Sequence, residues 1–150
     1  MEELITQLRL LQSSVFVYYT KAHGYHWNVE GILFDQLHEM FSEIYNDAWS
    51  SIDSYAEWIR VFGQKAVFDI PSMLSNSEVT YDLALTGNSI EMLNSLNISN
   101  YQIIAMLKNA FRMANDSNEQ GLADFLAGRI DAHQKWSWKI SASLKPMVNL

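Results

Sequence analysis

His26, His38, Asp53 and Glu57 are the residues of this 150-residue chain whose types and spacing could hold a metal ion. Imidazole and carboxylate together suit iron, and suit zinc or manganese too. Asp53 and Glu57 are four apart, so on a helix they share a face and could grip one cation. Read alone, they are more simply a solvated acidic face. Read alone, His26 is a core histidine, His38 a surface or interface residue, and Trp27 a packing residue. His38 and Asp53 are fifteen residues apart, which is about 22 Å along one straight helix. One ion cannot touch both. The same fifteen steps turn the helix by about 60° net, so both still face broadly the same way. Two copies of the helix lying antiparallel across a two-fold axis, the commonest oligomer symmetry, would bring the acids of one chain to the histidines of the other. The spacing predicts a site between subunits.

The elements that must position these residues are long helices, because breakers are few: two prolines and six glycines. Leu4, Leu8, Leu11, Val15, Tyr18, Ala22 and His26 recur at three- and four-residue spacing and predict a first helix from about Glu3 to Asn28. Val29-Glu30-Gly31 breaks it. Leu37, Phe41, Ile44, Ala48, Ile52, Tyr55 and Ile59 predict a second, from about Leu33 to Phe62, with Gly63 at the stop. Residues 64–87 are irregular, with Pro71 and a short helix expected near Met73. A third helix is predicted from about Asn88 to Ala114, a turn at Asn115-Asp116-Ser117-Asn118, and a fourth from Glu119 to Leu144, closed by Pro146. Four long helices, with short links in the outer pairs and one long crossover in the middle, describe an all-α, ferritin-like bundle in a single domain, 1–150. A bundle without any cofactor fits the same pattern.

Composition narrows the function classes. No cysteine is present, which excludes disulfides and thiolate metal sites. The net charge is −7 and the ten basic residues are scattered, which disfavours nucleic acid as a partner. Glu2 and Glu3 open the chain without a Lys/Arg cluster, so no signal peptide is read there. No apolar run approaches the ~20 residues of a membrane span. The expectation is a soluble cytoplasmic protein. His23 is expected to be exposed, and His133 to be a packing or surface residue. Trp49, Trp58, Trp136 and Trp138 sit at helical spacings that suit core or interface. No phosphate-binding glycine loop and no nucleophilic serine arrangement is present.

The run His26-Trp27-Asn28-Val29-Glu30-Gly31, then Phe34, Leu37-His38-Glu39, Asp53 and Glu57, resembles the Dps family of small ferritin-like proteins. Ala123-Asp124-Phe125-Leu126 and Trp138 extend the resemblance through the last helix. It implies a twelve-subunit shell with a ferroxidase site at the two-fold interface, His26 and His38 from one subunit and Asp53 and Glu57 from its partner. Iron(II) would be oxidised there, typically by hydrogen peroxide or else by oxygen, and stored inside as ferric mineral. Trp27 matches the family tryptophan credited with scavenging radicals. Asp124, with Asp116 and Glu119 nearby, falls where the family lines a three-fold pore; acids there would equally steady a helix N-terminus. Two departures stand out. The family carries an aspartate four residues after the second histidine, where this chain has Ser42, a poor iron(II) ligand. Glu43 beside it projects about 100° away. Many members also carry a lysine-rich DNA-binding tail, whereas Arg9 is the only base in the first twenty residues. The Glu-x-x-His motif of larger ferritins is absent, which argues against a di-iron centre inside the bundle. The competing readings are a metal-sequestering or structural cage with weak ferroxidase activity, and a DNA-compacting protein.

Overall fold

A computed structural model of the chain describes residues 1–82 and 88–146. The helices are α1 (Glu2–Asn28), α2 (Phe34–Val61), α3 (Ile70–Asn76), α4 (Ser89–Asp116) and α5 (Gln120–Ser143), and no strand occurs among the described residues. The apolar stripes predict the buried faces well. Leu4, Leu8, Leu11, Val15, Tyr18 and Ala22 of α1 pack against Leu37, Phe41, Ile44, Ala48, Tyr55 and Ile59 of α2, and all are buried. Each such fully buried large side chain stabilises the fold by about 1.5–3 kcal/mol.

Side-chain contacts define the topology. His26 meets His38, Tyr25 meets Ser95, Gln7 meets Met106, and Asp47 meets Arg129. Tyr25 and Gln7 of α1 meet Ser95 and Met106 of α4, and Asn100 and Asn97 of α4 meet His133 and Ser141 of α5, so the long neighbouring helices run antiparallel. Two helical hairpins, α1–α2 and α4–α5, are therefore joined by a crossover that spans the molecule.

Local chemistry sets the ends. Gly63, at φ 77°, closes α2: its N–H donates to the Arg60 carbonyl and that of Gln64 to Ile59, the paired bonds of a glycine-terminated helix. Asp69 caps α3 by accepting from the Ser72 N–H at 2.9 Å, with Pro71 in the first turn. The crossover then lies along α1. Gln12 exchanges two hydrogen bonds with Val67, the Ser14 hydroxyl accepts from the Glu78 N–H, and the buried Lys21 donates to the Thr80 carbonyl and the Ser99 hydroxyl. The irregular stretch expected over 64–87 runs on into 83–87, outside the described residues.

The turn after α4 is shorter than the sequence suggests. α4 continues through Asp116, and Asn118 takes a left-handed φ of 58°. That conformation reverses the chain within three residues, which frees Asn115 and Asp116 to stay helical. His26 also departs from expectation. It is half-buried rather than core, because α1 reaches its end there and the ring turns toward the first turns of α2.

A polar network crosses the bundle. Arg129 of α5 grips both oxygens of Asp47 on α2, at 2.9 and 2.8 Å, and the Trp136 indole N–H donates to the same carboxylate at 3.0 Å. His133, fully buried, donates from Nδ1 to Asn100 Oδ1, and Asn100 Nδ2 returns a bond to the His133 carbonyl. The amide oxygen can only accept, so Nδ1 carries the proton and Nε2 faces the Arg129 guanidinium, 3.4 Å away. Burial, with that cation beside it, pushes His133 down to about 3. In the unfolded chain a histidine protonates near pH 6.5. Between those values the unfolded chain holds the extra proton, so stability falls as pH falls, by up to about 1.4 kcal/mol per unit. Urea midpoints from pH 7 to 4 should show this limb, and His133→Gln should flatten it. An unchanged slope in the variant would assign the limb to His23 or to carboxylates instead.

Candidate metal centre

His26 and His38 form a clasp between the end of α1 and the start of α2. Their rings stack at 3.7 Å with an interplanar angle of 18°. Each Nδ1 lies 2.7 Å from the other residue's backbone carbonyl. A carbonyl cannot donate, so both Nδ1 atoms carry protons, and in the neutral rings both Nε2 atoms keep free lone pairs. This is how metal-binding histidines are commonly oriented, with one ring nitrogen tied to the backbone and the other left as the ligand.

Asp53 and Glu57 lie on the same uninterrupted α2, both exposed, and no hydrogen bond or ion pair engages either one among the described residues. The helix keeps Asp53 about 22 Å and Glu57 about 28 Å from His38. No group of three or more metal-ligating side chains that could hold one ion occurs within the chain, among the described residues. The fold brings the two histidines together and leaves the two acids apart from them.

Aromatic rings surround the clasp. Phe34 stacks on His38 at 5.0 Å, and Tyr45 meets His26 edge-on at 5.2 Å. His23 is half-buried rather than exposed. It stacks on Tyr45 at 3.9 Å, lies tilted against Trp27 at the same distance, and shares a 3.1 Å hydrogen bond with Tyr19. Burial, with His26 nearby, holds His23 below the ordinary histidine value. Trp27 does not pack in the core; it is 65% exposed. Trp49 and Trp138 are also largely exposed, and Trp58 and Trp136 half-buried, so none of the four fills the core. Trp27, Ile32, Leu33, Phe34 and Trp49 leave the α1–α2 hairpin with an apolar outer face.

Ser42 is half-buried one turn after His38, and its hydroxyl lies 3.4 Å from Asn46 Nδ2. Glu43 beside it is exposed and lies 3.8 Å from Lys139 of α5. The three acids near the last turn are not all at the start of α5. Asp116 ends α4, where a negative charge opposes the helix dipole; Glu119 is the α5 N-cap residue but makes no side-chain cap; Asp124 is exposed in the second turn. Sequence reasoning missed the Asp47–Arg129–His133 network. Its only trace is an acid and a base beside the apolar stripes.

Comparison with known proteins agrees with this architecture. The ferritin family model, described as a ferritin-like domain, matches residues 5–147. DNA protection during starvation protein 2 of Bacillus anthracis is 31% identical, over 85% of this chain and 87% of the relative. The DNA protection during starvation protein of Brevibacillus brevis is 31% identical, over 86% of each. The crystal structure of Dps from Staphylococcus aureus superposes with a TM-score of 0.92 at 26% identity, covering 98% of both chains. The chain therefore belongs to the Dps family of ferritin-like proteins.

Proposed function

We propose that this chain is the subunit of a shell, a dodecamer by its family, that oxidises iron(II) and stores the ferric product. The observation that carries the proposal is the histidine clasp: two imidazoles locked so that both Nε2 lone pairs remain free. A two-fold partner laid antiparallel along α2 would supply Asp53 and Glu57 to that pair, and the unpartnered state of both acids suits such a role. The exposed apolar face of the α1–α2 hairpin gives the partner a surface to cover. Iron is substrate here. The carboxylates favour the higher charge of the ferric product, and the neutral imidazoles hold iron(II) on arrival. Peroxide accepts two electrons. Two iron(II) ions and two protons therefore convert one peroxide to two waters with no radical released. Removing both reagents would protect nucleic acid without binding it. Trp27, exposed beside the clasp, is placed to intercept a stray one-electron oxidant.

Anaerobic loading with iron(II), followed by peroxide or air, tests the proposal through the ferric absorbance. Peroxide is expected to drive fast oxidation without spin-trapped hydroxyl radical. Oxidation no faster than in buffer would leave a sequestering cage, the reading that Ser42 favours. A chain that sediments as a monomer would sink both.

Ser42→Asp is expected to speed iron oxidation several-fold, because it restores a carboxylate one turn from His38 where a second iron could sit. Glu43, the next residue, projects about 100° away around the helix and lies near Lys139. A flat rate would mean that Glu43 or water already fills that position, or that this chain never uses a second iron. Asp124→Asn tests the pore. Slower iron uptake at low salt, converging with the parent at high salt, is expected for an acid that concentrates cations. Equal rates at low salt would return Asp124 to an ordinary helix-surface role.

A further inference from the structure

Pairing the acids of one α2 with the histidines of a second copy, as proposed above, fixes where the two helices cross. Two sites form at once, related by the two-fold axis. The axis therefore passes α2 halfway between His38 and the acid pair. Asp53 and Glu57 are centred on position 55, so the halfway point falls at 46 to 47. Direction narrows this to one residue. At about 100° per residue, Asn46 projects about 80° round the helix from His38, between Asp53 at about 60° and Glu57 at about 100°. Asp47 projects about 180° away and spends both carboxylate oxygens on Arg129 inside the bundle. We infer that Asn46 lies on the two-fold axis, faces its own copy there, and fixes the register in which the two α2 helices meet.

The chemistry at Asn46 suits a residue that must meet itself. A charge on a two-fold axis opposes its own image, and like charges face to face repel. Asn46 is neutral and exposed. Its Nδ2 donates to the Ser42 carbonyl at 2.9 Å, and its remaining N–H has only the Ser42 hydroxyl, at 3.4 Å. Its Oδ1 has no partner among the described residues. An amide carries two donors and an acceptor, so two copies related by the axis can each donate to the other. The helix face around it, made of Ser42, Trp49 and Ser50, carries no charge, and Trp49 is 57% exposed. A single asparagine between paired helices sets register because its bond survives only one alignment. A slip of one turn, about 5.4 Å, would part the amides and draw the acids away from the histidines.

The chain has no cysteine, so introduced thiols report the crossing directly. Helices packed about 8–10 Å apart bring facing Cα atoms to about 4–6 Å, within reach of a disulfide. Asn46→Cys is expected to give disulfide-linked dimers on mild oxidation of the assembled protein. Ser42→Cys and Ser50→Cys are expected to give few, because in this register their copies stand about 13 Å and about 10 Å apart along the helix. Asn46→Asp keeps the shape and sets two negative charges face to face. By sedimentation, that variant should dissociate about tenfold more readily than the parent at low salt, and the difference should shrink as salt rises. Stronger cross-linking at position 42 or 50 than at 46, or an Asn46→Asp protein that assembles like the parent at low salt, would overturn the assignment. The iron reading fails separately. Cross-linking at 46 without iron oxidation would leave Asn46 on the axis, whereas iron oxidation by an assembly that never cross-links there would remove it.

Discussion

Asp53→Asn and Glu57→Gln are each expected to weaken iron(II) binding by at least about tenfold, a scale on which even outer-shell partners of metal sites are felt. Each substitution keeps the side-chain shape and removes a charged ligand. Neither residue bonds to anything else among the described residues, so assembly and stability should be untouched. Anaerobic calorimetry with iron(II), alongside sedimentation of each variant, measures both. Unchanged affinity in both variants would reduce the pair to a solvated acidic face. A mixing experiment isolates the geometry further. Chains carrying His38→Ala and chains carrying Asp53→Asn are each expected to be inactive alone. Co-assembled, a mixed pair contains one site with an intact histidine clasp and an intact acid pair, so activity should return in part. Ligands drawn from a single chain would leave the mixture dead, since every chain then lacks one of them.

Arg129→Met is expected to destabilise the fold strongly. Removing one member of a buried ion pair costs about 3–5 kcal/mol when the survivor is fully buried. The Asp47 side chain keeps 27% exposure, so the loss should be nearer about 2–3 kcal/mol. Burial by itself would raise the Asp47 carboxyl; the bonds and charge of Arg129, helped by Trp136, hold it below its ordinary value. That support disappears in the variant. Asp47→Asn in the same chain removes the stranded charge and should recover part of the loss. Thermal unfolding of the two variants decides the matter, and a double variant no better than Arg129→Met would show that the charge pair is not what the network contributes.

No helix among the described residues is long and apolar enough to cross a membrane, and the helices carry the marks that made them legible. Leu4 to Ala22 and Leu37 to Ile59 repeat at the period of a helix face, and a long unbroken repeat of that kind can bury itself in only one way. Gly63 and Pro71 mark an end and a start through backbone constraints that act locally. The separation of His38 from Asp53 is likewise a property of the chain, because a continuous helix converts residue count directly into length. The four-helix plan, and the fact that one ion cannot touch both His38 and Asp53 of the same chain, were thus legible in the residue pattern. Which nitrogen each clasp histidine presents could not be read from the chain, since it depends on a carbonyl twelve residues away. The fold likewise set Glu43 beside Lys139 and joined Asp47 to Arg129, eighty-two positions apart. These are hydrogen bonds and ion pairs between helices. Their partners are chosen by the rotation of one helix against another, which periodicity within either helix does not encode.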